Sequence, residues 1–288
     1  MSEKTTNKID KKILENPFVG SLVVPVAIVL VGALIIFGVT KMISSEHNYK
    51  NLVQEMKSKT FGNKWVAALE LSKVIASDSI PKEDIPWLIE SLDEIYSSSI
   101  DSRTRDFTIV AIGSLRDKRG LKTLDKALSD PDENVKFHAI VSLGNMPKDI
   151  VYDWSTVTSF LDSKDYALVQ AAVLSLATHQ VVDAQGKAKE LLRSQLGYGV
   201  RYAAATALIR FKDESALPTV KEVMSLNEKS LDGKMTVEDI RGLKYNILKA
   251  VQQVEWQVAA PILKDALLTE KDIKIVARGK EVLNLLKK

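Results

Sequence analysis

Apolar and polar positions along this chain follow a helical period, and the pattern repeats. In "DPDENVKFHAIVSLGNM" (Asp130–Met146), take Lys136 as position zero: Val135, Ala139, Ile140 and Leu143 then fall at −1, +3, +4 and +7, with Gly144 at +8. At about 100° per residue these four apolar positions share one side of a helix, so they are core positions. The same register recurs. Arg105 in "TRDFTIVAIG" leads Ile109, Ile112 and Gly113; Val169 leads Ala172, Val173 and Leu176; Arg201 leads Ala204, Ala205 and Leu208; Lys244 leads Ile247, Leu248 and Val251. Weaker copies begin at Lys64 and Lys274.

Successive zero positions stand 41, 31, 33, 32, 43 and 30 residues apart. An earlier amphipathic helix accompanies the units, as in "GLKTLDKALSD", "ALPTVKEVMSL" and "APILKDALLTE". A period near 30 with two helices per unit predicts an all-α fold, an α-solenoid of about six to seven helical hairpins over residues 61–288. Small Ala and Gly at the crossings let hairpins stack closely, and each hairpin buries its apolar face only against its neighbours.

The units read roughly D-x-x-V-R-x-x-A-A-x-A-L-G. In this the chain resembles the HEAT-repeat family, in particular the HEAT-like repeats of the phycobilisome-lyase type. The resemblance covers nearly everything from about Lys64 to Leu286 and is closest over 105–145 and 200–210. It implies a right-handed stack with the second helices lining the concave side. It implies no single activity, because members include scaffolds, lyases and metal hydroxylases.

One segment departs from the repeat. Residues 16–40, "NPFVGSLVVPVAIVLVGALIIFGVT", carry no charge and as a helix are long enough to cross a hydrocarbon core of roughly 30 Å. Pro25 can kink such a helix without preventing a span. A signal peptide has a shorter apolar region, about 7–15 residues, ending at an A-x-A-like site; here the run exits into "TKMISSEHN". The expected order is a basic tail over 1–15, a transmembrane helix over 16–43, a linker and first helix over 44–60, and then the solenoid. Lys4, Lys8, Lys11 and Lys12 crowd one flank of the span, whereas Lys41, Lys50, Lys57 and Lys59 spread over a longer stretch on the other. That density favours a cytoplasmic N-terminus. The expectation is a single-pass protein of the bacterial inner (cytoplasmic) membrane with its solenoid in the periplasm, a cytoplasmic solenoid being the alternative.

Net charge is only +3 over 288 residues, which gives no reason to expect nucleic acid. There is no cysteine, so disulfides, thiolate catalysis and Cys-based zinc sites are excluded. His47, His138 and His179 are scattered, and no His-Glu dipeptide occurs; the hydroxylases of the wider HEAT-like group use repeated His-Glu pairs as iron ligands. No Gly-rich phosphate loop, nucleophile elbow or paired catalytic carboxylate appears. No catalytic residue, cofactor or metal is therefore expected. The segment Asn227–Asp239 lengthens one unit and reads as an inserted surface turn, since Glu228 and Ser230 would be poor calcium ligands.

Position zero projects near the buried face, which leaves Arg105, Lys136, Arg201 and Lys244 half-buried at helix starts. Acidic residues precede these helices: Asp101, Asp130 and Asp132, Asp162 and Asp165. The expectation is a ladder of ion pairs between neighbouring units. A basic track for an anion is the alternative.

Positions +1, +2 and +5 point away from the core. They hold Trp65, Val66 and Leu69; Phe107 and Val110; Phe137, His138 and Val141; Leu174; Tyr202; and Tyr245. A contiguous apolar stripe facing solvent marks a binding surface. The predicted function is a membrane-tethered scaffold that takes an extended segment or an amphipathic helix of a partner, a membrane or envelope protein, on the concave face. Two alternatives stand beside it: a further layer covers the stripe or the register is off by one helix face, or the chain is a lyase-like or chromophore-handling enzyme.

Overall fold

The computed structural model describes residues 49–58, 64–230 and 235–287. The transmembrane helix expected over 16–43 lies outside them, and among the described residues no helix is long and apolar enough to cross a membrane. The chain divides into two compact units, Met1–Leu52 and Val53–Lys288. The boundary falls within helix α1 (Tyr49–Lys57).

The second unit is built from helical hairpins. Helix α2 (Lys64–Ala76) is followed by the pairs α3 (Ile85–Ser98) and α4 (Ser102–Leu115), α5 (Leu121–Ala127) and α6 (Glu133–Gly144), and α7 (Ser155–Ser159) and α8 (Tyr166–Thr178). Then come α9 (Asp183–Arg193) and α10 (Tyr198–Arg210), α11 (Leu217–Ser225) and α12 (Val237–Gln253), and α13 (Ala260–Thr269) and α14 (Ile273–Leu285). The second helices α2, α4, α6, α8, α10, α12 and α14 pack each on the next, making one continuous layer. The first helices form the other.

Local chemistry explains where these helices start and stop. Asp101 accepts the amide of Thr104, Asp132 that of Asn134, Asp165 those of Ala167 and Leu168, and Asp272 those of Lys274 and Ile275. Each is an N-cap, typically worth ~1 kcal/mol. Thr236 and Asp239 form a reciprocal capping box at the start of α12. Three of the first helices carry Pro in their opening turn, at Pro86, Pro218 and Pro261, where no partner is needed for the missing N–H. After the second helices, left-handed residues at Asp78, Arg116, Gln180, Lys212 and Glu255 turn the chain away. Beyond three of these, the next amide reaches back to close the last turn: Val181 to Leu176 O at 3.0 Å, Asp213 to Leu208 O at 2.9 Å, Trp256 to Val251 O at 3.1 Å.

Positions +3, +4 and +7 are buried from Lys64 through Lys244; Ala139, Ile140, Leu143, Ala204, Ala205 and Leu208 are all fully enclosed. The last helix differs from expectation. There Ile275, Gly279, Val282 and Leu286 are buried and Ala277 is exposed, so its register starts one residue after Lys274. The helix has no following neighbour among the described residues to bury a wider face, and its apolar signal is correspondingly narrow.

Close crossings rest on Gly and Ser. A Cβ on Gly113 would lie 2.2 Å from Ser142 Oγ, so α4 and α6 approach too closely for any side chain there.

The ladder runs in one direction, from the second helix of one unit to an acid of the next. Arg105 donates Nε and Nη2 to Asp130 at 2.8 and 2.9 Å, and Asp130 also accepts the Tyr96 hydroxyl at 2.9 Å. Arg201 pairs with Glu222 at 2.5 Å and Lys244 with Glu270. Lys136 and Asp132 are not rungs. The Lys136 ammonium pairs with Glu133 of its own helix at 2.9 Å, and Asp132 is occupied as the cap of α6. Asp132 thus caps the helix it precedes while Asp130 reaches back to the preceding unit; Asp272 does both, capping α14 and pairing with Arg241 at 2.5 Å.

Candidate partner-binding face

The layer of second helices presents its outer side as the sequence register predicts, at least from α2 to α8. Trp65, Val66, Leu69, Phe107, Val110, Phe137, His138, Val141 and Leu174 are all partly exposed. Trp65 and Phe107 stack across α2 and α4 with ring centroids 6.3 Å apart, and Arg103 lies over the Trp65 ring at 5.3 Å. The next crossing joins His138 Nδ1 on α6 to Asp106 Oδ1 on α4 at 2.5 Å. Phe137 meets the His138 ring edge-on at 5.2 Å. These contacts fix the rings as a rigid surface, a property that suits recognition because little side-chain freedom is then lost on binding.

Between α6 and α8 the face deepens into an open cleft of about 270 Å³ whose lining includes Phe137, Val141, Leu174, Gln170, Thr178 and Arg210. At about 30 Å³ per water this is room for roughly nine waters or one large side chain.

Two of the residues expected on the stripe depart from it. Tyr202 is buried, 2% exposed, and its hydroxyl donates to Glu222 Oε1 at 2.8 Å. Burial, and then that carboxylate, push the phenol up to about 12. It is a packing residue tied into the Arg201–Glu222 pair, not part of an open surface. The ring lies beside Tyr198, with centroids 6.1 Å apart, and its hydroxyl is anchored by Glu222 of the following helix α11. Tyr245 is exposed on α12, with Arg278 over its ring at 5.5 Å, but the buried Tyr202 interrupts the apolar run between it and Leu174.

Other residues found by the fold carry weak sequence signals. Arg210 closes α10 and reaches into the cleft, yet from sequence it is one basic residue at a helix end. Trp154 lies on a loop and stacks on His179 at 4.4 Å, with Tyr152 edge-on to it at 5.0 Å. Burial lowers the pKa of His179, and its Nε2 lies 3.1 Å from Leu143 O, which makes that histidine part of the packing between α6 and α8. Among the described residues no group of three or more His, Asp or Glu side chains is placed to hold a metal ion. In the inserted segment residues 231–234 lie outside the described residues.

Comparison with known proteins agrees with this architecture. Residues 85–177 match the HEAT repeats family, and residues 200–225 match the PBS lyase HEAT-like repeat. The complex of CpcE and CpcF of phycocyanin lyase from Nostoc sp. PCC7120 is similar in fold, with 17% identity over 83% of this chain and 94% of that one and a TM-score of 0.58. An archaeal HEAT-like repeats protein from Thermococcus onnurineus NA1 aligns over 83% of this chain and 97% of its own at 16% identity, with a TM-score of 0.40. No match was found among curated proteins. Residues 85–177 and 200–225 are thus similar to HEAT-type repeats, in keeping with the helical-hairpin fold.

Proposed function

We propose that the chain is a membrane-tethered scaffold whose second-helix face binds a segment of a partner protein from the membrane or envelope. The observation that carries the reading is the half-exposed apolar run from Trp65 through Phe107 and Phe137 to Leu174, opening into the cleft between α6 and α8. Rings held in place on a solvent-facing layer have no packing role on that side, and such patches are where partner side chains dock. The uncharged stretch over 16–40 supports the tether. Anchoring both partners in one membrane raises their effective concentration, so modest affinity suffices.

The test is cross-linking in intact membranes followed by mass spectrometry. The reading expects the full chain in the membrane fraction, resistant to alkaline extraction, and a stoichiometric protein partner joined through the second-helix face. A reporter fused after Lys288 and active only outside the cytoplasm reads the orientation. A purified chain that absorbs visible light or takes up a bilin would favour a chromophore-handling enzyme instead.

A further inference from the structure

One half-buried arginine of the second helices breaks the rule that the others keep. Arg105, Arg201, Arg241 and Arg278, the other half-buried arginines of the second helices, each hold a carboxylate, from Asp130, Glu222, Asp272 and Glu281 respectively. Arg210 is also half-buried, yet no carboxylate among the described residues pairs with it. Its Nη1 donates to Leu174 O and to Thr178 Oγ1, both at 2.6 Å. Those two bonds clamp the guanidinium across α8 and leave Nε and Nη2 without a protein acceptor among the described residues. Burial alone lowers its pKa, and no neighbouring charge opposes the shift. The side chain borders the cleft that Phe137, Val141 and Leu174 make apolar. A guanidinium held in a half-dry site with donors to spare is the usual arrangement for receiving a carboxylate.

We propose that this cleft binds a partner segment carrying an Asp or Glu side chain next to a large apolar residue, with the carboxylate on Arg210 and the apolar group against Phe137, Val141 and Leu174. Charge complementarity selects this occupant over a basic or neutral one. The apolar run extends from the cleft to α4 and α2, on the side away from Arg210, so the carboxylate sits at the α10 end of the bound apolar stretch. This inference rests on the scaffold reading above and specifies what the face selects.

The experiment uses the full chain, purified in detergent, against an array of short peptides acetylated and amidated at their ends. Each peptide carries a central Leu or Phe flanked by Glu, by Gln or by Lys, with the remaining positions small and polar. The Glu peptides are expected to bind about tenfold more tightly than their Gln counterparts, the worth of one charge-assisted hydrogen bond. Arg210→Gln abolishes that preference; Arg210→Lys, which keeps the charge, retains part of it and serves if the Gln variant fails to fold. Equal binding of Glu and Gln peptides, both lost in Phe137→Asp, overturns the carboxylate inference and leaves the scaffold standing. A preference for Lys peptides overturns it as well. Failure of every peptide overturns the scaffold reading and this inference with it.

Discussion

Ser175 on α8 occupies the space that a side chain on Gly144 of α6 would need: a Cβ built on Gly144 lies 2.3 Å from Ser175 Oγ and 2.7 Å from Ser175 Cβ. The same hydroxyl donates to Ile140 O at 2.9 Å, so glycine and serine together weld one unit to the next. The Gly113–Ser142 contact repeats the arrangement one unit earlier. Gly144→Ala must push α6 and α8 apart, an overpacking change that costs about 1–3 kcal/mol. Gly186→Ala is the control, since nothing lies within 4 Å of its added methyl and Ala gains roughly 0.5–1 kcal/mol over Gly inside a helix. Thermal unfolding of the two variants should therefore move in opposite directions.

Asp130 is the second place where stability concentrates. It is 4% exposed and holds Arg105 and Tyr96 together. Burial by itself would raise its carboxyl, but hydrogen bonds from Arg105, the Asp132 amide and Tyr96 outweigh burial and hold it below the usual carboxylate range. A depressed folded-state value contributes stability above the unfolded value, near pH 4, and that contribution disappears as pH falls through the folded value. Asp130→Ala strands a buried guanidinium and is expected to cost about 3–5 kcal/mol at neutral pH. Melting curves from pH 7 to pH 3 check both points: the variant starts lower and loses less on acidification than the native chain. Parallel pH profiles would show that Asp130 is not linked to folding.

Tyr202 and Phe137 hold the same register position two units apart and have opposite surroundings. Tyr202→Asp places a charge in a closed site and should unfold its repeat. Tyr202→Phe leaves Glu222 to Arg201 alone and costs on the order of 1 kcal/mol. Phe137→Asp falls on a partly open face, so its effect on unfolding should be much the smaller of the two Asp changes, while partner capture is lost because the apolar ring that the partner packs against is gone. Ala139→Asp, two residues away on the closed side, behaves like Tyr202→Asp. A Phe137→Asp chain that unfolds as readily as Ala139→Asp would make that ring core.

The hairpin count, the core positions and the Gly crossings were legible because a period near 30 is repeated enough times to average out local exceptions. At Tyr202 the same reasoning failed. Helical geometry gives a residue's direction, but whether that direction is open depends on what the adjoining helices place there, and at Tyr202 Glu222 of α11 holds the ring in. The ladder was half legible for a related reason. Charge order along the chain shows that acids and bases accompany each other, but Asp130 pairs backward with Arg105 while Asp132 caps forward, a choice made in space. Arg210 gave no signal at all, since what distinguishes it is the lack of a carboxylate that its counterparts Arg105 and Arg201 possess.

The claim at the centre of this account is that the second-helix face binds protein, and a photo-reactive side chain placed at Val141 of the full chain in intact cells tests it most directly. The control position is Lys122, exposed on the first helix α5. The account predicts a discrete protein adduct from Val141, none from Lys122, and loss of the Val141 adduct in a folded Phe137→Asp background. No adduct at Val141, or the same adducts from both positions, would contradict it.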